Sequence, residues 1–230
     1  MELSIRLKTI SNLVDKCHSI VDVGTDHGYI PIYLTEKTLC DKAIASDINR
    51  GPVDKAKKNV SLYGMKDKVE CRLGPGLTTV KKGEVQGAVI AGMGGNLIRD
   101  IILQSYDIFK ELDFAVLQPS QNPEVLRKFL YEEGITILEE DLCLDEGIYY
   151  EVMKVKFEGN SPVSIPEVYY EVSSSLLKSG NVHMKDYLME KIDNNKKILS
   201  KIQDVTENAL EKKKKVERKI KELEELTTWL

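Results

Sequence analysis

No run of apolar residues approaches the roughly 18 that a membrane helix needs. The stretch from Met1 to Lys16 mixes charged and apolar residues where a secretory leader would carry a long apolar core. A cytoplasmic chain is therefore expected, with no membrane partner. Cysteine is scarce: Cys17, Cys40, Cys71 and Cys143 form no Cys-x-x-Cys pair, and a chain of 230 residues has no need of disulfide staples. Four buried free thiols are expected. His18, His27 and His183 show no ligand spacing with these cysteines, so no metal is expected. A strong charge of one sign is missing too. Lys and Arg number 33 against 37 Asp and Glu, a net charge of −4. A nucleic-acid binder of this composition would have to use a local basic patch.

What is present is enough apolar material for a sizeable core, 42% of the chain, patterned in short alternating segments. Leu3, Leu7, Ile10 and Val14 predict an amphipathic opening helix. Strands are expected at 19–23, 42–47, 69–73, 85–91 and 114–117, the last stopped by Pro119. Helices are expected at 30–37, from Gly51 to Leu62 with Pro52 in its first turn, after Gly95, and at 123–133. Two further strands, 135–142 and 148–157, flank the hairpin signal Asp145-Glu-Gly147. Alternating strands and helices imply a Rossmann-like, doubly wound α/β sheet of seven strands, mainly parallel. A linker rich in Ser and Pro begins near Gly159, dividing a catalytic domain, 1–159, from a helical domain, 160–230.

The second part contains a helical stretch over 167–178, stopped by Ser179-Gly180-Asn181, and then no Gly or Pro from 183 to 230. A seam spaced four and three residues runs from Leu188 and Ile192 to Leu223, Thr227 and Leu230, which predicts coiled-coil-like packing. Polar Asn195, Thr206 and Lys213 weaken its middle and favour a hairpin turning between 193 and 215 over one unbroken helix. The same polarity argues against a strong dimer zipper, so a monomer is expected. This part carries 13 Lys/Arg against 12 Asp/Glu, and the first part 20 against 25.

The chemistry is expected at strand ends. Val21-Asp-Val-Gly-Thr-Asp-His-Gly-Tyr29 is the first strand-to-helix turn, where Gly24 and Gly28 let the backbone approach a ligand. The spacing is not the nicotinamide fingerprint, and no ATP-type loop occurs. The turn carries Asp26 where a pyrophosphate binder would avoid an acid. An acid suits a ligand with a cationic amino group, such as the methionine moiety of S-adenosylmethionine. Asp47, ending the second strand, can accept ribose hydroxyl bonds, or simply cap a turn. Gly74 and Gly76 follow the third strand, where the adenine ring would lie. Ala91-Gly-Met-Gly-Gly95 follows the fourth, with Met93 either a core plug or part of the cofactor wall. Gln118, before Pro119 and Ser120, can read a base edge or fix a loop.

These residues resemble a known family. Leu3-Ser-x-Arg-Leu7, Asp22-Val-Gly-Thr-Asp-His-Gly-Tyr29, Asn49-Arg-Gly-Pro52, Arg72-Leu-Gly-Pro-Gly-Leu77, Ile90-Ala-Gly-Met-Gly-Gly95, Leu117-Gln-Pro119 and Ile148-Tyr-Tyr-Glu-Val152 are similar to the bacterial tRNA (adenine(22)-N1)-methyltransferases, within the class I S-adenosylmethionine-dependent methyltransferases. The resemblance implies methyl transfer to adenine N1 in the tRNA D-arm, with S-adenosyl-L-methionine as cofactor and tRNA as partner. It carries the cofactor loop onto Asp22, Gly24, Thr25, Asp26, His27 and Gly28, and the ribose site onto Asp47 with Ile48. Gly74, Gly76, Ala91, Gly92 and Met93 complete the expected cofactor contacts. Two positions depart from the family pattern: Pro75 stands where an acid is usual, and Ser120 where Asn is usual.

Asp26, Tyr29 and Gln118 are the expected catalytic residues. Asp26 would hold the cofactor amino group or stabilise a cationic product. Tyr29 would stack on an extruded base or pack the first helix. Arg6 would hold a phosphate or form a surface ion pair, and Lys196, Lys197 and Lys201 would grip the tRNA body. The run Lys212–Lys215 reads first as a solvated face. The competing functions are a methyltransferase of a small molecule or protein, and a non-catalytic cofactor-binding scaffold.

Overall fold

Short strands rich in valine, isoleucine and alanine can pair in parallel only if each connection returns over a face of the sheet. The computed structural model, which describes residues 1–203 and 206–230, is built this way. The chain runs α1 (Ile5–Asn12), β1 (Cys17–Val23), α2 (Tyr29–Glu36), β2 (Cys40–Asp47), α3 (Arg50–Leu62) and β3 (Val69–Leu73). A single 3₁₀ turn, Gly76–Thr79, precedes β4 (Gly87–Gly94), α4 (Gly95–Gln104), α5 (Tyr106–Phe109), β5 (Phe114–Gln121), α6 (Pro123–Glu132), β6 (Ile135–Asp145) and β7 (Ile148–Phe157).

The seven strands form one sheet in the order β3-β2-β1-β4-β5-β7-β6. The first five are parallel, and β7 runs antiparallel to both β5 and β6. Strand order reverses between β1 and β4, which opens a crevice at their carboxyl ends. Both faces are covered. Val21, Ile90 and Leu117 share a core with Ile98, Ile102, Leu126 and Leu130. Ile20, Val89 and Val116 share the other with Ile10, Leu34 and Val60. Each such side chain contributes roughly 1.5–3 kcal/mol on burial, and two-sided burial is why the central strands read as almost continuous apolar runs.

Three strands extend beyond their expected ends: β6 runs on to Asp145, and two others pass through loop signals. The glycines after Ala91 and the proline at 119 predict loops, yet β4 continues to Gly94 and β5 to Gln121. The two irregularities meet: Gly92, at φ +75°, opens a bulge between Ala91 and Met93, and Met93 pairs with Pro119. Proline is tolerated where the ladder is already interrupted. The chain turns instead at Asn122, φ +53°, and Pro123 opens α6. The β6–β7 hairpin closes through Glu146 and Gly147, both at positive φ, the two-residue turn whose twist matches the strands.

The four cysteines are free, but only Cys40 and Cys143 are buried. Cys71 lies on edge strand β3 and Cys17 opens β1, so both are half-buried, a correction to the expected four buried thiols. Burial pushes the Cys40 thiol up to about 12.

The chain divides into compact units Met1–Ser164 and Ile165–Leu230. The division falls after the expected 159/160 boundary because the linker is tied to the first unit. Asn160 Nδ2 donates to Thr136 Oγ1 at 2.9 Å, and Val163 N to Tyr131 O at 3.0 Å.

In the second unit the single helix expected over 167–178 is two, α7 (Val168–Glu171) and α8 (Ser174–Lys178), because the Ser173 hydroxyl accepts from Ser175 N and caps α8. Then come α9 (Met184–Ser200), α10 (Glu207–Leu226) and a terminal 3₁₀ turn, Thr227–Trp229. One unbroken helix is excluded. Thr206 accepts from Ala209 N at 3.2 Å and starts α10, and the link over 201–206 includes Asp204 and Val205, outside the described residues. Of the expected seam, Leu188, Ile192, Ile220 and Leu223 are buried, and Leu230 is exposed. No helix among the described residues is long and apolar enough to cross a membrane.

Candidate active site

The end of β1 turns sharply because its backbone is captured by β2: Gly24 N and Thr25 N both donate to Ser46 O, at 2.8 and 2.9 Å. Gly24 then takes φ +79°, and a Cβ there would lie 2.0 Å from Met93 Cε. Met93 is partly buried against the core, as a core plug would be, and its methyl covers the turn. Thr25 Oγ1 accepts from Gly28 N at 3.1 Å, which brings the chain round to start α2. Gly28, at φ +71°, lies against Ala56 of α3.

A cleft of about 400 Å³ opens on this turn, within the range of small-molecule sites. Asp22, Gly24, Thr25, Asp26, His27, Gly28 and Tyr29 line one side, Ala91 and Gly92 another, and Arg6 and Leu7 of α1 a third. Asp47, Ile48 and Gly74 stand at the adjoining strand ends, where Asp47 pairs with Leu73 and its carbonyl accepts from Gly74 N at 2.9 Å. Gly76, at φ +52°, backs onto Ile101 instead.

The acids differ in kind. Asp22 is 7% exposed, and its carboxyl is pushed up to about 6. Burial is the main cause, a hydrogen bond with Thr25 opposes it, and the charge of Asp47 adds to it. Asp26 is exposed and shared, its carboxylate 3.1 Å from His27 Nε2 and 3.4 Å from Lys55 Nζ. One Asp47 oxygen is taken by its own turn, accepting from Asn49 N at 2.6 Å. Tyr29 is 37% exposed, its ring stacked on that of His27 at 5.1 Å between centroids.

Of the two expectations for Gln118, the structure shows the loop-fixing hydrogen bond. Its side chain is wholly buried, and Oε1 accepts from Arg6 Nη1 at 2.9 Å and from Gly92 N at 3.2 Å. It presents no edge to a base as it stands, because α1 and the β4 bulge close over it. Arg6 is likewise not in a surface ion pair; its guanidinium lies 5.4 Å from the Tyr150 ring. In the second unit Lys197 and Lys201 are exposed, whereas Lys196 is tied to Glu224 at 2.7 Å. Among the described residues no group of three or more His, Cys, Asp or Glu could hold a metal ion.

Residues 3–153 match the family model described as a methyltransferase domain. The chain is 34% identical over 153 residues to the tRNA (adenine(22)-N1)-methyltransferase of Bacillus subtilis, an alignment covering 66% of this chain and 64% of that one. It belongs to the methyltransferase-domain family. In sequence the chain spans just under two thirds of that curated relative, while solved structures match it over nearly its full length. M. capricolum TrmK in complex with S-adenosyl-homocysteine superposes with a TM-score of 0.85 at 25% identity, covering 100% of this chain and 99% of that one. A Streptococcus pneumoniae chain in complex with S-adenosyl-L-methionine superposes at 0.87 with 26% identity, covering 98% and 100%.

Several residues of this family site escape a reading by motif. Lys55 and Asn59, one turn apart on α3, both face the β1–α2 turn, Asn59 Nδ2 donating to His27 O at 2.9 Å. Their four-residue spacing was the available signal. Tyr150, behind Arg6, lies in the Ile148–Val152 segment of the family resemblance, but only the hairpin brings it to α1. Asp145, whose carboxylate accepts from Arg6 N at 3.1 Å, gave no signal beyond its turn.

Proposed function

We infer that the chain is an S-adenosylmethionine-dependent enzyme that methylates N1 of adenine 22 in tRNA. The observation that carries this reading is a bare glycine turn at the switch point lined by acids, with no phosphate cradle. The residues present fit the cofactor. Gly24 and Gly92, both at positive φ, leave backbone open to a ligand, Asp22 offers a buried acid to an ammonium group, and Asp47 keeps one carboxylate oxygen for a ribose hydroxyl. Ile48 and Gly74 border the space for an adenine ring, and Met93 covers the turn beneath.

Bound there, S-adenosylmethionine supplies a methyl group on a positively charged sulfur, an electrophile that needs no further activation. The work of the chain is alignment, bringing the adenine N1 lone pair to about 3–3.5 Å from its target. Neutral N1 needs no base before attack, and the modified base is cationic. Asp26, exposed at the mouth of the cleft, sets a negative charge toward it. A paired adenine hides N1, so the base must be extruded at a cost of a few kcal/mol. The Tyr29 ring, stacked on His27, offers a platform worth roughly 1–3 kcal/mol per base. Lys197 and Lys201 supply phosphate contacts from the helical unit, which acts as the tRNA grip of a monomeric, cytoplasmic enzyme.

The test is incubation with labelled S-adenosylmethionine and unmodified tRNA, followed by digestion. N1-methyladenosine at position 22 is expected, and its loss in Asp26→Ala. Turnover only without tRNA, or methyl transfer to another atom, overturns the reading.

A further inference from the structure

The parallel connections through α2, α3 and α4 each lay a helix on the sheet, but the one from β3 to β4 forms a single 3₁₀ turn. The corner of the sheet beside it stays open. A cavity of about 530 Å³ lies there, lined by the starts of β1 and β2, by the approach to β3 and its first residues, and by Glu84. It stands apart from the cofactor cleft. Lys42 in its wall precedes Asp47 by five residues along β2, roughly 16 Å of strand.

The charges of this cavity sort into two sets. Glu70 and Glu84 are consumed by Arg72, whose Nη2 lies 2.7 Å from Glu70 Oε2 and 2.6 Å from Glu84 Oε1. Arg72 also donates through Nε to Glu70 Oε1, and through Nη1 to Glu84 Oε2 and Thr79 O, so every N–H of the guanidinium is used. The bond from Arg72, joined by one from Lys81 N, holds the Glu84 carboxyl down at about 2. The lysines form the other set. Lys42, Lys66 and Lys68 line the same cavity, and none of their ammoniums makes an ion pair among the described residues. Ala43 N donates to Lys68 O at 2.8 Å, which seats Lys42 and Lys68 side by side where the β2–β3 ladder begins. Like charges facing each other across a ladder are destabilising. Of the lining acids, Asp67 alone is left to offset these three cations.

We propose that this cavity is a second ligand site, taking a small molecule that carries a diphosphate group, with Lys42, Lys66 and Lys68 as its anchors. The site is independent of methyl transfer. Its volume is in the range of small-molecule sites, and lysine binds phosphate as a point charge that can swing to meet it. Two linked phosphates relieve the repulsion between neighbouring ammoniums, which a single carboxylate would only halve. Ala43, Ile44 and Val69 give the wall an aliphatic side for the rest of such a ligand. An RNA strand suits it less. Asp67 and Glu70 are exposed in the same wall, and an extended chain of phosphates would run against them.

The experiment is calorimetry on the full chain with inorganic pyrophosphate as the probe, with and without saturating S-adenosylhomocysteine. Saturable binding at one site per chain is expected, with the same affinity in both conditions. Lys42→Ala and Lys68→Ala should each weaken pyrophosphate about five- to tenfold, and Lys68→Arg should retain most of the affinity, as loss and replacement of one charge-assisted bond. Lys58→Ala removes the same charge from α3 outside the cavity and should stay within about twofold, because a distant exposed charge is screened. Affinity for S-adenosylhomocysteine should be unchanged in every variant. Absence of saturable binding overturns the proposal, as does displacement of pyrophosphate by S-adenosylhomocysteine. Equal weakening by Lys58→Ala reduces the effect to bulk charge and also sinks it. A fall in tRNA affinity in Lys42→Ala and Lys68→Ala with pyrophosphate binding unchanged would assign these lysines to RNA instead.

Discussion

The two units differ in how much charge they bury. The first keeps most of its ion pairs at the surface, such as Arg50–Asp54 and Lys82–Glu111, but drives a few ionic groups inside. Arg127 of α6 is fully buried between Glu140 of β6 and Glu151 of β7, with Nη2 2.6 Å from Glu140 Oε1 and in contact with Glu151. Asp22 sits buried at the floor of the cleft. In the second, charge lies mostly on the outside in pairs such as Lys215–Glu211, Arg218–Glu222 and Lys196–Glu224. Glu171, met by Lys191 at 3.9 Å and by Lys219, gathers a partly covered cluster. Buried ions specify geometry because a misplaced one cannot be solvated. Exposed pairs leave geometry loose and leave cations free to exchange partners.

The largest effect should come from Arg127→Met, which strands two buried carboxylates. A loss of about 3–5 kcal/mol in denaturant unfolding is expected. Adding Glu140→Gln and Glu151→Leu should recover most of it; if the single variant were as stable as wild type, the contrast between the units would fail.

Asp22 comes next. Its carboxyl, raised from 3.8 to about 6 in the fold, makes the native state bind more protons than the unfolded chain between those values. Stability should therefore fall as pH rises through that window and level off above it. Asp22→Asn should stabilise the fold above pH 6, by on the order of 3 kcal/mol, with the two stability curves converging near pH 4. Cofactor affinity should move the other way, weakening in wild type below about pH 6 as the acid protonates. Calorimetry across that range checks the sign.

The smallest effects belong to the helical surface. Alanine at Lys215 or Arg218 should leave stability nearly unchanged, because solvent screens an exposed pair. For tRNA, Lys197→Ala and Lys201→Ala should each flatten the salt dependence of binding by about one unit of slope. Lys196→Ala should do less, because its ammonium is engaged by Glu224. Equal effects at all three positions would show that the surface pair opens freely.

Much of the first unit was legible. The run Val69–Leu73 is β3 to the residue, and the hairpin of β6 and β7 follows its Glu-Gly turn. The glycine turn was visible because only that residue type suits Gly24 at φ +79° against Met93. The ends of β4 and β5 were misread because Gly92 and Pro119 signal loops separately. Only when paired across the ladder do they make a bulge. In the sequence Gln118 stays open between two readings for a related reason. Its amide has the right chemistry for a base edge, but whether it faces a ligand or Arg6 depends on how α1 closes over β5. The tail's periodicity predicted helices, and its polar interruptions predicted the break after which Thr206 caps α10.

The order of apolar runs and glycines along the chain thus determined the parallel sheet, the switch-point cleft and the acids at its edge, because local periodicity and backbone freedom are written residue by residue. Which acid is buried, which cation faces the cleft and which amide is locked away were decided only in three dimensions. Burial and hydrogen-bond partnership are properties of neighbours brought together across the sheet, and Arg6 and Gln118 stand 112 positions apart along the chain.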